Sequence, residues 1–344
     1  MGPSSGKRSG AVTDNNQPSV SIIIVNYNGR DLLQSCLASI YAQSFHSIEV
    51  IVVDNGSLDG TVEYVRENFP RTLLVPLPEN RGFAGANNEG LRHATGDYIL
   101  LLNNDTVVDK DCIASLFAAM QEDPACGICA VKMLAAGTDL IDSAGDGFSS
   151  NLKGFKRGEG KPAHFYNESG YVFGACAGAA MYRKKMIEEI GFLDGDFFLI
   201  YEDTDLNLRA QLAGWKVRYV PSARVHHKVR STIGHMSDAA VFYAIRNSEL
   251  VRIKNIPLGI FARCFPSYAV AMLLEIIFFG IVYRKFKLYC KAKLDAVKLL
   301  PKMLKKRRAI LGKKKVSNAY LYGLITPIYD REFFSSKINK FFKR

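Results

Sequence analysis

Asn103-Asn104-Asp105-Thr106 closes an uninterrupted apolar run, Tyr98-Ile99-Leu100-Leu101-Leu102, and this abrupt change from hydrocarbon to side-chain oxygen is the strongest chemical signal in the chain. A strand buried on both faces reads as a continuous hydrophobic run, and in open α/β sheets ligands bind beyond the carboxyl ends of such strands. Asp105 and Asn103 offer hard oxygen ligands suited to Mg²⁺ or Mn²⁺, ions that keep several waters and take the rest of their shell from substrate phosphates. A nucleoside diphosphate is the ligand this predicts. An isolated Asn-Asn-Asp is more often a polar turn, so the reading depends on what else ends at the same edge.

Asp54, at the end of a second apolar run, is placed to accept hydrogen bonds from a ribose hydroxyl or a pyrimidine imide, although a turn or cap in Asp54-Asn55-Gly56-Ser57 explains it equally well. Arg81 suits a base or a phosphate, or plain solvent. Gly82, Gly85 and Gly90 resemble a phosphate loop only weakly, because they do not follow the first strand as a dinucleotide fingerprint does. Glu202, Asp203 and Asp205 open a helix, where carboxylates favour the positive dipole end. Asp205 and Arg209 stand at i and i+4, a structural pair, which leaves Asp203, or else Glu202, as a general base for a hydroxyl. His226 and His227 follow a strand; two successive side chains diverge, so one of them can face a metal or phosphate.

These residues need a scaffold, and the hydrophobic pattern supplies one. Val20 to Val25, Ile48 to Val53, Thr72 to Leu77 and Tyr98 to Leu102 read as buried strands, and helices are predicted over 31–41 and 59–68 between them. Strand and helix in this alternation give a right-handed doubly wound sheet. Further on, a helix (110–122), a strand (127–132), an irregular excursion (137–170), helices from Lys184 and Glu202, and a strand (216–220) complete the pattern. The expected organisation is a disordered 1–18, an α/β domain over 19–235 and a helical, basic region over 236–344.

At 344 residues with 48% apolar and 23% charged residues, the chain has ample core for one large domain and an appendage. Seven scattered cysteines form no framework, which suits a reducing cytosolic setting, and Cys126-x-x-Cys129 lacks a second pair. The net charge of +12 is local: Arg284 to Lys315 holds fourteen Lys or Arg against Asp295, leaving about −1 elsewhere. Pro266 to Tyr283 is apolar except for Glu275, a costly residue in hydrocarbon, and the helix after it is amphipathic through Leu288, Ala292, Leu294, Val297, Leu299 and Leu300. A monotopic hairpin on an anionic membrane surface is expected, with a single span as the alternative. Nucleic acid is disfavoured because aromatic and basic residues do not interleave.

Taken in order, Val25-Asn26-Tyr27-Asn28-Gly29, Val53-Asp54-Asn55-Gly56-Ser57, Asn80-Arg81-Gly82-Phe83-Ala84 with Asn87, Leu102-Asn103-Asn104-Asp105, Gly191-Phe192-Leu193-Asp194 with Tyr201-Glu202-Asp203-Thr204-Asp205, and Val225-His226 ahead of Ser231 resemble the inverting glycosyltransferases of family 2, closest to the rhamnosyltransferase-like members. The resemblance covers residues 19 to about 235. It implies a GT-A fold, a doubly wound mixed, mostly parallel sheet flanked by helices, here with a C-terminal helical membrane-associating region. It implies donor binding by Val25, Tyr27, Asp54, Arg81, Asn87, Asn103 and Asn104, a Mg²⁺ or Mn²⁺ held by Asp105 and His226, and Asp203 as the base with Glu202 beside it. Asn103 stands where a strict DxD has its first Asp, so Asp105 is left with most of the metal binding. The implied partners are a nucleotide-sugar, dTDP-rhamnose or a UDP-sugar, and a saccharide acceptor, lipid-linked, at the cytoplasmic face of the membrane, with room for a homo-oligomer. The competing expectation is a nucleotide-sugar or membrane-binding protein without transfer activity.

Overall fold

The computed structural model describes residues 19–228 and 237–329; residues 1–18 and Ser231 fall outside it. Strands and helices alternate from the start: β1 (Val20–Asn26), α1 (Arg30–Tyr41), β2 (Ile48–Asp54), α2 (Thr61–Asn68), β3 (Leu73–Pro76), α3 (Gly82–His93) and β4 (Tyr98–Asn103). The branched runs of β1 and β2 are buried on both faces because helices cover each side: Leu33, Cys36, Leu37 and Ile40 of α1 pack on one and Ala84 and Ala86 of α3 on the other. Parallel register sets Asn26 beside Asp54, Asp54 beside Pro76, and Val25 beside Asn103. The polar strand ends therefore lie along one edge.

The glycines of the 82–90 segment serve this packing. That segment is helix α3; a Cβ at Gly90 would strike Ile23 and Val53, and Gly82, at φ +71°, lies against the carbonyl of Phe198. Neither position resembles a phosphate cradle.

The chain continues through β5 (Thr106–Val108), α4 (Cys112–Glu122), β6 (Cys126–Ala135), β7 (Ile141–Ser143), β8 (Asp146–Ser149), β9 (Gly154–Lys156), β10 (Gly170–Val172), β11 (Ala179–Arg183), α5 (Lys184–Ile190), α6 (Glu202–Leu212) and β12 (Lys216–His227). The main sheet has ten strands in the order β10-β12-β6-β11-β4-β1-β2-β3, with β5 on β12 and β7 on β6. Six of them, β1 to β4, β6 and β12, run the same way, so the sheet is mixed with a parallel majority. The 137–170 stretch is not irregular: it forms β7, β8 and β9, and the last two build a separate three-stranded sheet with β13 (Ile325–Thr326). β12 also outruns its expected end, because a register shift between Val220 and Arg224 carries the strand past Pro221.

Five helices follow: α7 (Asp238–Asn255), α8 (Leu258–Ile277), α9 (Phe286–Lys298), α10 (Leu300–Gly312) and α11 (Asn318–Gly323), with a π-helical stretch at Phe278–Val282. Leu250, Val251, Ile260, Cys264 and Met303 join Leu208 and Leu212 of α6 and Phe148 of β8 in one core cluster. Leu258–Val282 is long and apolar enough to cross a membrane by length and composition, and none of its most apolar window is buried. Leu273, Leu274, Ile277 and Ile281 point outward, whereas Glu275 turns inward to Lys153 and Lys293. Part of the basic stretch also faces inward: Lys302 and Lys306 pair with Asp194 and Asp196, Lys293 with Glu249, and Lys315 with Glu189.

Candidate active site

At the edge formed by β1, β2 and β4, Asp54 is 1% exposed; its Oδ2 accepts from the Ser57 amide at 3.0 Å, and its Oδ1 has no hydrogen-bond partner. A buried carboxylate oxygen without a partner is a position where a ligand donor is missing. Beside it Asn55 ties the strand end to the Arg81 turn, accepting from the Arg81 amide at 2.8 Å, while the Arg81 guanidinium stays half exposed near Glu89. Tyr27 is exposed at the end of β1, and Val25 is partly covered within it.

Two asparagines expected on the donor are buried and engaged within the fold. Asn104 is buried and donates to Asn26 Oδ1 at 2.6 Å; Asn87 is buried and donates to the Phe83 carbonyl of its own helix at 2.8 Å. Asn103 remains open, and its backbone leads directly to the acidic helix. Its amide donates to the Gly178 carbonyl at 2.8 Å, and one residue away the Ala177 amide donates to Asp203 Oδ2 at 3.4 Å. The 176–178 loop thus brings Asn103 and Asp203 onto one cavity of about 370 Å³, which Glu202, Asp146, Phe155 and Lys156 also line.

α6 enters this cavity through three successive-region residues in the left-handed conformation, Phe198 (φ 63°), Ile200 (φ 66°) and Tyr201 (φ 74°). Such backbone persists only where its surroundings hold it. Asn247 of α7 does so, its Nδ2 donating to the carbonyls of Phe197, Leu199 and Ile200 at 2.7–2.8 Å. Asp205 faces away, in an ion pair with Arg209 at 2.8 Å and with Lys254. Burial raises the Glu202 pKa well above the usual carboxylate range, helped by Asp203, and one Glu202 oxygen has no hydrogen-bond partner. Burial also raises Asp203, against the hydrogen bonds from Thr204 and Ala177 that hold it down.

The histidine beside Asp105 is His227; His226, expected on the metal, lies elsewhere. His226 Nε2 lies 3.0 Å from Asp109 on the outer face, whereas His227 Nε2 lies 3.2 Å from Asp105 Oδ1 and Nδ1 2.9 Å from Asp142 Oδ2. Asp142 in turn accepts from Lys156 Nζ at 2.8 Å, so a chain of charges runs from Asp105 to the cavity wall. Burial opposes charge on His227, yet bonds to Asp105 and Asp142 raise its pKa to about 9; Asp142 is lowered to about 2, against burial, by His227 and Lys156. Sequence reasoning missed Asp142, Asp146, Lys156 and the choice of His227. Their only sequence signal was a few acids within a Gly- and Ser-rich stretch.

Among the described residues no three His, Cys, Asp or Glu side chains converge as a ready metal cage. A divalent ion here would draw on Asp105, Asn103 and the His227 Nε2, with water and phosphate for the remainder. The Asp142 carboxylate behind His227 is the arrangement that orients metal-binding imidazoles, so the donor set fits such an ion.

A mixed α/β sheet with acids and amides at its strand ends thus faces an acidic helix N-terminus across one cavity. Residues 21–191 match the family model for glycosyl transferase family 2. Two curated poly-beta-1,6-N-acetyl-D-glucosamine synthases are similar: that of Staphylococcus aureus (strain MSSA476) is 25% identical over 236 residues and that of Staphylococcus epidermidis 26% over 239. Each match covers 67% of this chain and 55% of the relative, so the chain spans about half the length of the curated relatives it matches. The crystal structure of S. aureus TarS shares the fold, with a TM-score of 0.54 at 15% identity over 86% of this chain and 55% of that one. The architecture is GT-A-like, with a C-terminal helical region that includes one apolar helix.

Proposed function

We propose that this protein is an inverting, metal-dependent glycosyltransferase that moves a sugar onto a hydroxyl of a saccharide acceptor, lipid-linked, in cell-surface polysaccharide assembly. The donor proposed first is dTDP-rhamnose, with a UDP-sugar second, on the motif resemblance. The observation that carries the reading is the shared cavity: Asn103 from the donor edge and Asp203 from α6 line it together, linked through Gly178 and Ala177.

Asp54 accepts from the ribose or base through its unpartnered Oδ1, with Tyr27 and the β1 end near Val25 flanking the base and Arg81 at the mouth. Asp105, Asn103 and His227 hold a Mg²⁺ or Mn²⁺, which when bound stabilises charge on the departing diphosphate. Asp203 removes the acceptor hydroxyl proton as that oxygen attacks the anomeric carbon and the bond to the diphosphate breaks. One displacement inverts the centre, and no covalent intermediate forms. Glu202, buried and with its pKa pushed well up by burial and by Asp203, lies beside Asp203 as the secondary candidate.

The outward apolar residues of α8, with Arg284, Lys287, Lys291 and Lys298 exposed nearby, favour a peripheral or monotopic seat on the anionic cytoplasmic face of the membrane. Inward pairing of Glu275 and the buried Ile260 and Cys264 favour a helix lying on the domain over one crossing alone.

The test incubates the full chain with dTDP-rhamnose and a set of UDP-sugars, Mn²⁺ or Mg²⁺ and a panel of octyl glycosides as hydroxyl acceptors, and follows nucleoside diphosphate release. Turnover of one donor is expected, and Asp203→Asn should lower it about 10²–10⁴-fold while the thermal shift given by the nucleotide persists. No release from any donor, or full activity in Asp203→Asn, ends this reading and leaves a binding protein.

A further inference from the structure

One wall of the cavity is left over by the donor chemistry. It is the β8–β9 hairpin, which contributes Asp146, Phe155 and Lys156 opposite Asp203. Asp146 is 8% exposed, and its carboxylate is thinly satisfied: among the described residues only Ser143 Oγ, at 3.4 Å, is a side-chain partner. Burial, and then the charge of Asp203, push the Asp146 pKa well above the usual carboxylate range, which favours its protonated form, a group with both a donor and an acceptor. The Lys156 ammonium is engaged by both Asp142 oxygens, which offset part of its charge at this wall. Phe155 adds an aromatic ring whose neighbour on the hairpin is Gly147, a position with no room for a side chain. A buried acid that can hydrogen-bond, an aromatic ring and a cation already paired with a carboxylate suit a polyol hydroxyl better than a phosphate or carboxylate.

We propose that the β8–β9 hairpin is the acceptor subsite, with Asp146 hydrogen-bonded to one hydroxyl of an uncharged pyranose that lies against Phe155, so that a neighbouring hydroxyl meets Asp203. The proposal rests on the transferase reading and extends it to a wall of the crevice outside the donor motifs.

The hairpin is braced from the C-terminal part of the chain. β13 pairs with β8, the Ser150 amide donates to the Thr326 carbonyl at 2.9 Å, Ser150 Oγ reaches Ser267 of α8 at 3.3 Å, and Lys153 pairs with Glu275 of the same helix. The acceptor wall is thus built on the helix whose other face carries the exposed apolar residues, which suits an acceptor presented from a lipid surface.

The test measures nucleoside diphosphate release from the best donor in the presence of octyl α- and β-glycosides of glucose, galactose, N-acetylglucosamine and rhamnose, with octyl glucuronide as the charged control. At least one neutral glycoside should accelerate release by the wild-type chain fivefold or more, and the glucuronide should not. Asp146→Ala and Phe155→Ala should each raise the acceptor KM tenfold or more with the nucleotide-induced thermal shift kept, which shows folding and donor binding. Asp146→Asn, which retains a donor and an acceptor atom, should recover most of the lost KM. Release unaffected by every neutral glycoside, equal use of the glucuronide, or an unchanged acceptor KM in both alanine variants overturns the subsite. Absence of nucleotide release from any donor, with or without glycoside, instead removes the transferase reading beneath it.

Discussion

An imidazole clamped between two buried carboxylates has little freedom of tautomer or orientation, whereas one paired to a half-exposed acid on the outer face contributes little. His227 is the first kind and His226 the second. His227→Ala should weaken Mn²⁺-dependent nucleotide binding by about 10–100-fold, the usual effect of disturbing a metal's supporting shell, and His226→Ala by less than about twofold; calorimetric titration of the nucleotide with and without Mn²⁺ reads both. Equal losses in the two variants would remove His227 from the ion's side. The sequence shows two adjacent histidines on a strand but not which faces inward, because strand parity is reset by the register shift between Val220 and Arg224. By contrast the polar ends of β1, β2 and β4 were legible, since each buried apolar run stops abruptly at an Asn or Asp. Asn87 and Asn104 show the limit of that signal: the same residue type that meets ligands also ties strand ends and helices to each other.

The helices α6 and α7 are joined by an ionic knot. Asp205, fully buried, takes Arg209 Nε at 2.8 Å, Lys254 Nζ at 2.7 Å and Asn255 Nδ2 at 2.7 Å, while Lys254 also holds Asp194. Removing one member strands the others without water, and breaking a buried pair in this way costs about 3–5 kcal/mol. Asp205→Asn should therefore lower stability by about 3 kcal/mol in denaturant titration, an effect no surface pair would give. Burial alone would raise Asp194 and Asp205, but Lys254 together with Lys306 on Asp194 and Arg209 on Asp205 holds both below the ordinary 3.8. A carboxylate whose folded pKa is depressed adds stability that is complete above its unfolded value and is lost as pH falls through the folded one. The contribution of this knot to Tm should accordingly be constant above about pH 5 and decline below about pH 4, read as a shallower acid slope in Asp205→Asn than in the wild type. An Asp205→Asn chain with wild-type stability would contradict the knot. The i,i+4 spacing made the Asp205–Arg209 contact readable; Lys254 and Asn255 lie about fifty residues away and only packing of α7 brings them in. The β8–β9 hairpin escaped for another reason, since short strands rich in Gly, Asp and Ser look like a loop until β13 supplies their edge partner.

For the whole molecule, the surplus of positive charge divides into two populations with different work. Lys293, Lys302, Lys306 and Lys315 pair with acids at Glu249, Asp194, Asp196 and Glu189, which ties α9, α10 and the segment after them to the rest of the chain and draws these cations away from lipid headgroups, Lys293 and Lys306 most since they are partly buried. Lys287, Lys298 and Lys305 are exposed. If the outward face of α8 seats the protein on an anionic leaflet, each exposed cation near the headgroups adds about 1 kcal/mol. Replacing all three with Ala should then weaken binding to vesicles containing phosphatidylglycerol by about 100-fold, leave binding to neutral phosphatidylcholine vesicles unchanged, and reduce the salt dependence, the remainder resting on Arg284 and Lys291. Leu273→Glu with Ile277→Glu should reduce binding to both vesicle types, because it removes apolar contact and inserts charge where hydrocarbon is expected. Lys302→Ala and Lys306→Ala separate the populations: they should lower Tm by loosening α10 from Asp194 and Asp196 while barely changing vesicle affinity. Sedimentation with vesicles measures the first effect and thermal melting the second, and a Lys302/Lys306 variant that loses lipid binding without losing stability would reverse the assignment of the two groups.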